Sequence, residues 1–137
     1  MIIVDDHLAI LAIAGALPNL GRSGPIATTY SFHFRLARAI ADSARSGTLS
    51  RRIENAPAAV SRVLRPPAHR LVVLDPRTSV GESVRIGVQH SANLLLAELL
   101  GAAVHHRAAV RVTQANEGRT WAAAMTAEGV DFATIEA

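Results

Sequence analysis

The chain has 137 residues, half of them hydrophobic, which fits one globular domain with a core of its own. It contains no cysteine, which excludes disulfides and thiolate metal sites and favours a reducing compartment, so we expect a cytoplasmic protein. The net charge is +3 and all 14 basic residues are arginines. Such a surface suits an anionic partner such as RNA or an acidic protein, and the alternative is a solvated charged surface that binds no partner.

The first segment predicts a buried strand followed by a helix. The β-branched run 2–4 ends at Asp5 and Asp6, and either acid can cap a helix over residues 7–16. The opening has no basic region of the kind found in signal peptides. The longest apolar stretch, residues 8–17, is too short to span a bilayer, so no membrane partner is expected.

The next part of the chain is predicted to be helical after a polar loop over residues 19–25. Residues 26–45 place Phe34, Ala37, Ile40, Ala41 and Ala44 on an apolar face and Arg35, Arg38, Asp42 and Arg45 on the opposite face. Residues 48–64 repeat an amphipathic pattern that Pro57 splits into two short helices.

The second half alternates strands and helices. The predicted elements are a strand at 71–74, a helix from Thr78 or Ser79 to His90 with Glu82 completing a capping box, an apolar helix at 92–104, a strand at 110–113, a turn at 116–118, a helix at 119–128 and an edge strand at 130–135. This order predicts an α/β fold: a three-layer α/β/α sandwich around a mostly parallel sheet, with residues 1–137 as a single domain.

Polar residues follow three of the predicted strands, where parallel α/β sheets bind ligands. They are Asp5 with Asp6, Asp75, and the segment 113–117. If the first and third strands are neighbours, Asp5 and Glu117 can approach each other and bind Mg²⁺ or Mn²⁺, which can activate water against a phosphodiester. Alternatively, Asp5 and Asp6 serve only as a helix cap and a first-turn acid, and Asp75 is ordinary turn chemistry.

Glu98 is a further candidate because it lies in the apolar run 94–100. Burying a carboxylate there is costly unless the group is paired or binds a metal, and the alternative is an exposed helix edge or an arginine partner. Asn93 is a weaker candidate on the same helix. The histidines lack the spacing of a zinc site.

Two stretches carry a resemblance to a known family. Residues 2–11 and 71–113 resemble the opening motif and the C-terminal half of the PIN-domain family, many of whose members are bacterial toxin ribonucleases paired with antitoxins. Asp5 falls on the family's metal-binding position. Other family acids are missing: Asn93 stands at one of them, the segment 30–35 contains none, and Gln114, Ala115 and Asn116 follow the last matched strand.

The resemblance implies a divergent, PIN-like, metal-dependent endoribonuclease, the toxin of a toxin–antitoxin pair. Its partners would be RNA, an antitoxin and a second copy of the chain, since dimers are common in the family. The implied catalytic residues are Asp5, Glu98 and Glu117, and the implied Mg²⁺ or Mn²⁺ ligands are Asp5, Asp6, Asn93, Glu98 and Asn116. The candidate RNA or antitoxin surface is Arg35, Arg38 and Arg45. Two alternatives stay open: a catalytically inactive PIN-like domain that binds RNA or a partner protein, and a small interaction module without a nucleic-acid role.

Overall fold

The protein is described by a computed structural model over residues 1–45 and 61–137. Within these residues, five strands form one sheet in the order β3-β2-β1-β4-β5, and every pairing is parallel. The strands are β1 (Ile2–Val4), β2 (Ile26–Thr28), β3 (Val72–Val73), β4 (Ala109–Thr113) and β5 (Phe132–Ile135). The α/β class and the parallel sheet expected from the sequence are confirmed.

Helices connect these strands. They are α1 (Asp6–Ala14), α2 (Tyr30–Arg45), α3 (Val80–Gln89), α4 (Leu94–His106), a single 3₁₀ turn (Gln114–Asn116) and α5 (Arg119–Ala127). No helix in the described ranges has the length and apolar character needed to cross a membrane.

The sheet has a hydrophobic core on each face, which makes the fold three-layered. Successive residues of a strand point to opposite faces, and β1 shows this directly. Ile3 packs in a cluster with Phe32 of α2 and Leu99 of α4. Ile2 and Val4 pack in a second cluster formed mainly with α1 and α2, whose buried members include Leu8, Ala9, Leu36 and Ile40.

The start of the predicted long helix at 26–45 is wrong, because Ile26–Thr28 forms β2 and the helix begins only at Tyr30. Phe34, expected on the apolar face, is 54 % exposed, and Phe32 is buried instead. A strand of three residues is too short to show an alternating pattern, so the helical periodicity that follows it dominates the sequence signal. The helices predicted within 48–64 lie mostly in residues 46–60, outside the described ranges.

The helix predicted after Ser79 begins at Val80, but Ser79 makes no side-chain capping bond and the expected capping box is absent there. Glu82 pairs instead with Arg85 at 2.9 Å. Arg85 also donates to both carboxylate oxygens of Glu128 at 2.9 Å, which with a bond to His90 lowers the pKa of Glu128 to about 2. This ion pair holds the end of α5 against α3.

Helices α3 and α4 approach each other closely at Gly101. A Cβ atom at Gly101 would lie 2.7 Å from both the backbone nitrogen and Cα of Ser83, closer than atoms can pack. Only glycine therefore allows this approach. The contact fixes the position of α4, including Glu98 one turn earlier.

Candidate functional site

Asp5 lies where the carboxyl ends of β1 and β4 meet, and it is fully buried. Its Oδ1 accepts a hydrogen bond from the Leu8 backbone N–H at 2.9 Å, which caps α1. Its Oδ2 accepts from the Thr113 backbone N–H at 2.7 Å, from the Thr113 hydroxyl at 2.8 Å and from the Asn116 amide at 3.0 Å. One carboxylate therefore ties a helix, a strand end and a 3₁₀ turn together.

Asp6 stands beside this carboxylate and closer to the surface. Its Oδ1 lies 3.0 Å from the Asn116 amide nitrogen and 3.2 Å from His7 Nδ1, and its Oδ2 lies 3.4 Å from Arg35 Nη2. We call Asp5, Asp6, His7, Arg35 and Asn116 the Asp5–Asp6 cluster. The amide of Asn116 donates to both carboxylates, so it lies between them.

Arg35 closes the outer side of the cluster. Its Nη1 donates to Asn116 Oδ1 at 3.2 Å, and its guanidinium lies 5.8 Å from the centre of the Phe32 ring. Arg35 therefore forms an ion pair with Asp6 and a hydrogen bond with Asn116. The formal charges of Asp5, Asp6 and Arg35 sum to about −1. The Asp6 side chain is 12 % exposed and those of Arg35 and His7 are about half exposed, so the cluster opens to solvent on the Asp6 side.

The donor chemistry of the cluster fits a hard divalent cation. One ligand atom each from Asp5, Asp6 and His7 lie within 4.8 Å of one another. Two carboxylates suit Mg²⁺ or Mn²⁺, and the imidazole favours Mn²⁺ over Mg²⁺. The N–H₂ group of Asn116 now donates to both carboxylates. For a cation to bind between them, the amide would have to rotate so that its Oδ1 faces the carboxylates instead.

The residue of the segment after β4 that meets Asp5 is Asn116 rather than Glu117. The 3₁₀ turn carries Asn116 inward, whereas Glu117 is exposed. Glu117 lines a separate surface concavity with Gln114 and Arg119.

Glu98 and Asn93 have other partners than the cluster. Glu98 is only 5 % exposed, and its Oε2 accepts hydrogen bonds from the backbone N–H of Ser31 at 3.2 Å and from the Ser31 hydroxyl. Asn93 caps α4 by accepting from the Leu96 N–H at 3.0 Å. No hydrogen bond within the described ranges joins either residue to the Asp5–Asp6 cluster.

The three arginines predicted to form one binding surface differ in their surroundings. Arg35 belongs to the cluster, whereas Arg38 is exposed and its Nε lies 3.9 Å from Asp42. Arg45 is the last residue of α2, and its side chain lies outside the described part of the structure. Sequence reasoning placed Arg35 on a binding surface and missed its contact with Asp6, because no local pattern encodes a contact between α1 and α2.

Thr113 was included in the polar segment 113–117, but its hydrogen bonds to Asp5 were not predicted. Its signal is present in the sequence: a hydroxyl residue ends an apolar strand that precedes the polar segment 114–117.

Comparisons with known proteins define the fold but no family. No protein-family profile matches the chain, and neither does any curated protein. Among solved structures, the crystal structure of PAE2754 from Pyrobaculum aerophilum is similar, with a TM-score of 0.60 and 14 % sequence identity over 96 % of this chain and 87 % of the other. At that identity, the similarity shows a shared α/β architecture.

Proposed function

We propose that the protein is a divergent PIN-like endoribonuclease that depends on Mg²⁺ or Mn²⁺ and serves as the cytoplasmic toxin of a toxin–antitoxin pair. One observation carries the proposal: Asp5, Asp6 and His7 converge within 4.8 Å at the carboxyl edge of a parallel sheet, where such folds bind ligands. A bound cation would make a coordinated water lose its proton more readily, and the resulting hydroxide is the nucleophile that can attack a phosphodiester.

The residues of the cluster have separable tasks in this proposal. Asp5 is held rigidly by four hydrogen bonds and orients the site, while Asp6 faces the opening. The half-exposed imidazole of His7 would supply a nitrogen ligand at the rim of the site. Arg35 can exchange its long contact with Asp6 for a bidentate contact with a phosphate.

The charge of the cluster determines how tightly a cation is expected to bind and how fast RNA is expected to be cleaved. The resemblance expects an acid just after Thr113, and the residue of that segment that meets the carboxylates is the neutral Asn116. Arg35 also pairs with one of the two carboxylates. Fewer negative charges hold a cation less tightly against water, so we expect weak binding and slow cleavage that is faster with Mn²⁺.

Two variants test the proposal on purified protein incubated with single-stranded RNA and Mn²⁺. Asp6→Asn removes the accessible carboxylate and should abolish cleavage. Asn116→Asp adds a third carboxylate between the other two and should raise both Mn²⁺ affinity and cleavage rate, by about tenfold or more. Asp75→Asn is the matched control, because Asp75 also follows a strand but pairs with Arg77 on an exposed turn. Its cleavage should equal that of the wild type.

A second candidate function is a catalytically inactive domain that binds RNA or a partner protein. The favouring observation is that Asn116 and Arg35 already donate to the carboxylates, which satisfies the cluster without a cation. RNA that stays intact with the wild type and with Asn116→Asp, together with retained binding, would select this second function.

A further inference from the structure

A cavity of about 220 Å³ lies between the first turns of α2, α3 and α4, apart from the acids of the Asp5–Asp6 cluster. We call it the Glu98 cavity. Its lining residues are Tyr30, Ser31, Pro76, Val80, Ser83, Leu94 and Glu98.

Two residues that line this cavity each carry a buried polar atom without a hydrogen-bond partner among the described residues: Glu98 Oε1 and Ser83 Oγ. The other Glu98 oxygen is already bound by two donors of Ser31, so Oε1 alone is unused. An unpaired carboxylate oxygen next to the apolar side chains of Val80 and Leu94 is costly to bury. A ligand that offers an N–H group would remove this cost.

The exposed ring of Tyr30 connects the cavity to a surface that reaches the Asp5–Asp6 cluster. Tyr30, which is 52 % exposed, also borders a wider concavity of about 480 Å³ that includes Phe34, Arg35 and Leu95. Arg35 belongs to both this concavity and the cluster. Exposed aromatic rings and guanidinium planes are surfaces on which unpaired RNA bases stack.

We propose that the Glu98 cavity binds one unstacked RNA base that carries an exocyclic amino group, with Glu98 Oε1 accepting an N–H of that group and Tyr30 stacking at the mouth. The inference rests on the proposed function, since it makes the cavity the base-selecting pocket of the RNA presented to the Asp5–Asp6 cluster. Cytosine meets the requirement, whereas uracil has a carbonyl oxygen in place of the amino group. The cationic Arg35 near the entrance disfavours a lysine side chain as the occupant.

The experiment compares the binding of fluorescent oligocytidylate and oligouridylate to the intact protein in EDTA. Without divalent cations no RNA is cut, so binding is read apart from cleavage. The wild type should prefer oligocytidylate by about tenfold, the value of one hydrogen bond to a charged group. In Glu98→Gln, the Ser31 donors keep the amide oxygen, and the amide N–H₂ then faces the cavity. The preference should shift towards oligouridylate.

A second variant and a control keep the result interpretable. Tyr30→Ala truncates an exposed side chain and should lower affinity for both oligonucleotides by roughly 5- to 150-fold. Glu117→Gln makes the same chemical change at an exposed carboxylate outside the cavity and should leave the preference unchanged. Circular dichroism and the thermal midpoint establish that each variant is folded. If Glu98→Gln does not fold, the wild-type preference and Tyr30→Ala decide.

Equal affinity of the wild type for the two oligonucleotides overturns the proposal, as does an unchanged preference in folded Glu98→Gln. The proposal is also overturned if Glu98→Gln weakens the binding of a short lysine peptide but leaves the RNA preference unchanged. That result would assign the cavity to a protein partner. The proposed function fails separately, through the cleavage assay on Asp6→Asn.

Discussion

Strand β4 ends in one polar cluster, and the side chain of its central residue, Arg111, reaches a second cluster beside the amino end of the strand. The two clusters differ in charge. At the carboxyl end, in the Asp5–Asp6 cluster, Thr113 and Asn116 donate to Asp5, and the guanidinium of Arg35 pairs with Asp6. At the amino end, one carboxylate, Asp131, is shared by two guanidiniums, those of Arg22 and Arg111.

The amino-end cluster is saturated with cations. Arg111 is buried and donates to the backbone oxygens of Leu20 and Asp131 as well as to the Asp131 carboxylate. Hydrogen bonds from Arg111 and then Arg22 hold the pKa of Asp131 below its ordinary value. The chain supplies every charge that Asp131 needs, so this cluster serves the fold.

The carboxyl-end cluster, which is the Asp5–Asp6 cluster, has more carboxylates than guanidiniums. Most hydrogen bonds to its carboxylates come from neutral donors: backbone N–H groups, a hydroxyl and an amide. A cluster held by neutral donors keeps its negative charge and can attract a cation from solution. The two clusters on this strand therefore differ in their balance of charge. The sequence alone does not reveal this difference, because the acids and arginines of each cluster are far apart along the chain.

The largest expected effect is on stability and comes from Asp5→Ala. The change leaves four donors from Leu8, Thr113 and Asn116 without their buried acceptor, so the free energy of unfolding should fall by about 3–5 kcal/mol. Urea unfolding measures this. The exposed Asp75→Ala should lower the free energy of unfolding far less, because a surface ion pair contributes little. Equal losses in the two variants would show that the buried hydrogen-bond network of Asp5 adds no stability.

An intermediate effect is expected from Arg35→Gln, which removes the only guanidinium of the carboxyl-end cluster. Mn²⁺ affinity should rise on the order of fivefold because Asp6 loses its cationic neighbour, while RNA binding weakens. Isothermal titration with Mn²⁺ measures the first effect. Arg38→Gln is the matched control on the same helix, since Arg38 pairs with Asp42, and it should leave the Mn²⁺ affinity unchanged.

The smallest effect concerns pH and the amino-end cluster. Because the folded-state pKa of Asp131 is lowered, its contribution to stability is present above the ordinary value of 3.8 and is lost as pH falls below it. Asp131→Asn should therefore narrow the stability difference between pH 5 and pH 3, as followed by urea unfolding. A pH profile identical to that of the wild type would contradict this assignment.

The parts of the fold that sequence predicted are those with a strong local signal. Ile2–Val4 is a compact β-branched run ended by acids, and the apolar helix α4 has no polar face to confuse its assignment. Strand β2 was missed because three residues carry no periodicity. The burial of Glu98 was one of two interpretations that its apolar neighbours left open, the other being an exposed helix edge. Its partner Ser31 could not be predicted, because tertiary packing alone brings α2 and α4 together.

The bond between Thr113 and Asp5 joins residues 108 positions apart, and this separation has a consequence for synthesis. Ribosomes add about 5–20 residues per second, so Asp5 is made roughly 5 to 20 seconds before Thr113. Until β4 docks beside β1, Asp5 lacks its Thr113 and Asn116 donors and the carboxyl-end cluster does not exist. A nascent or prematurely terminated chain therefore carries an incomplete site, and any activity that needs the whole cluster begins only once β4 has paired with β1.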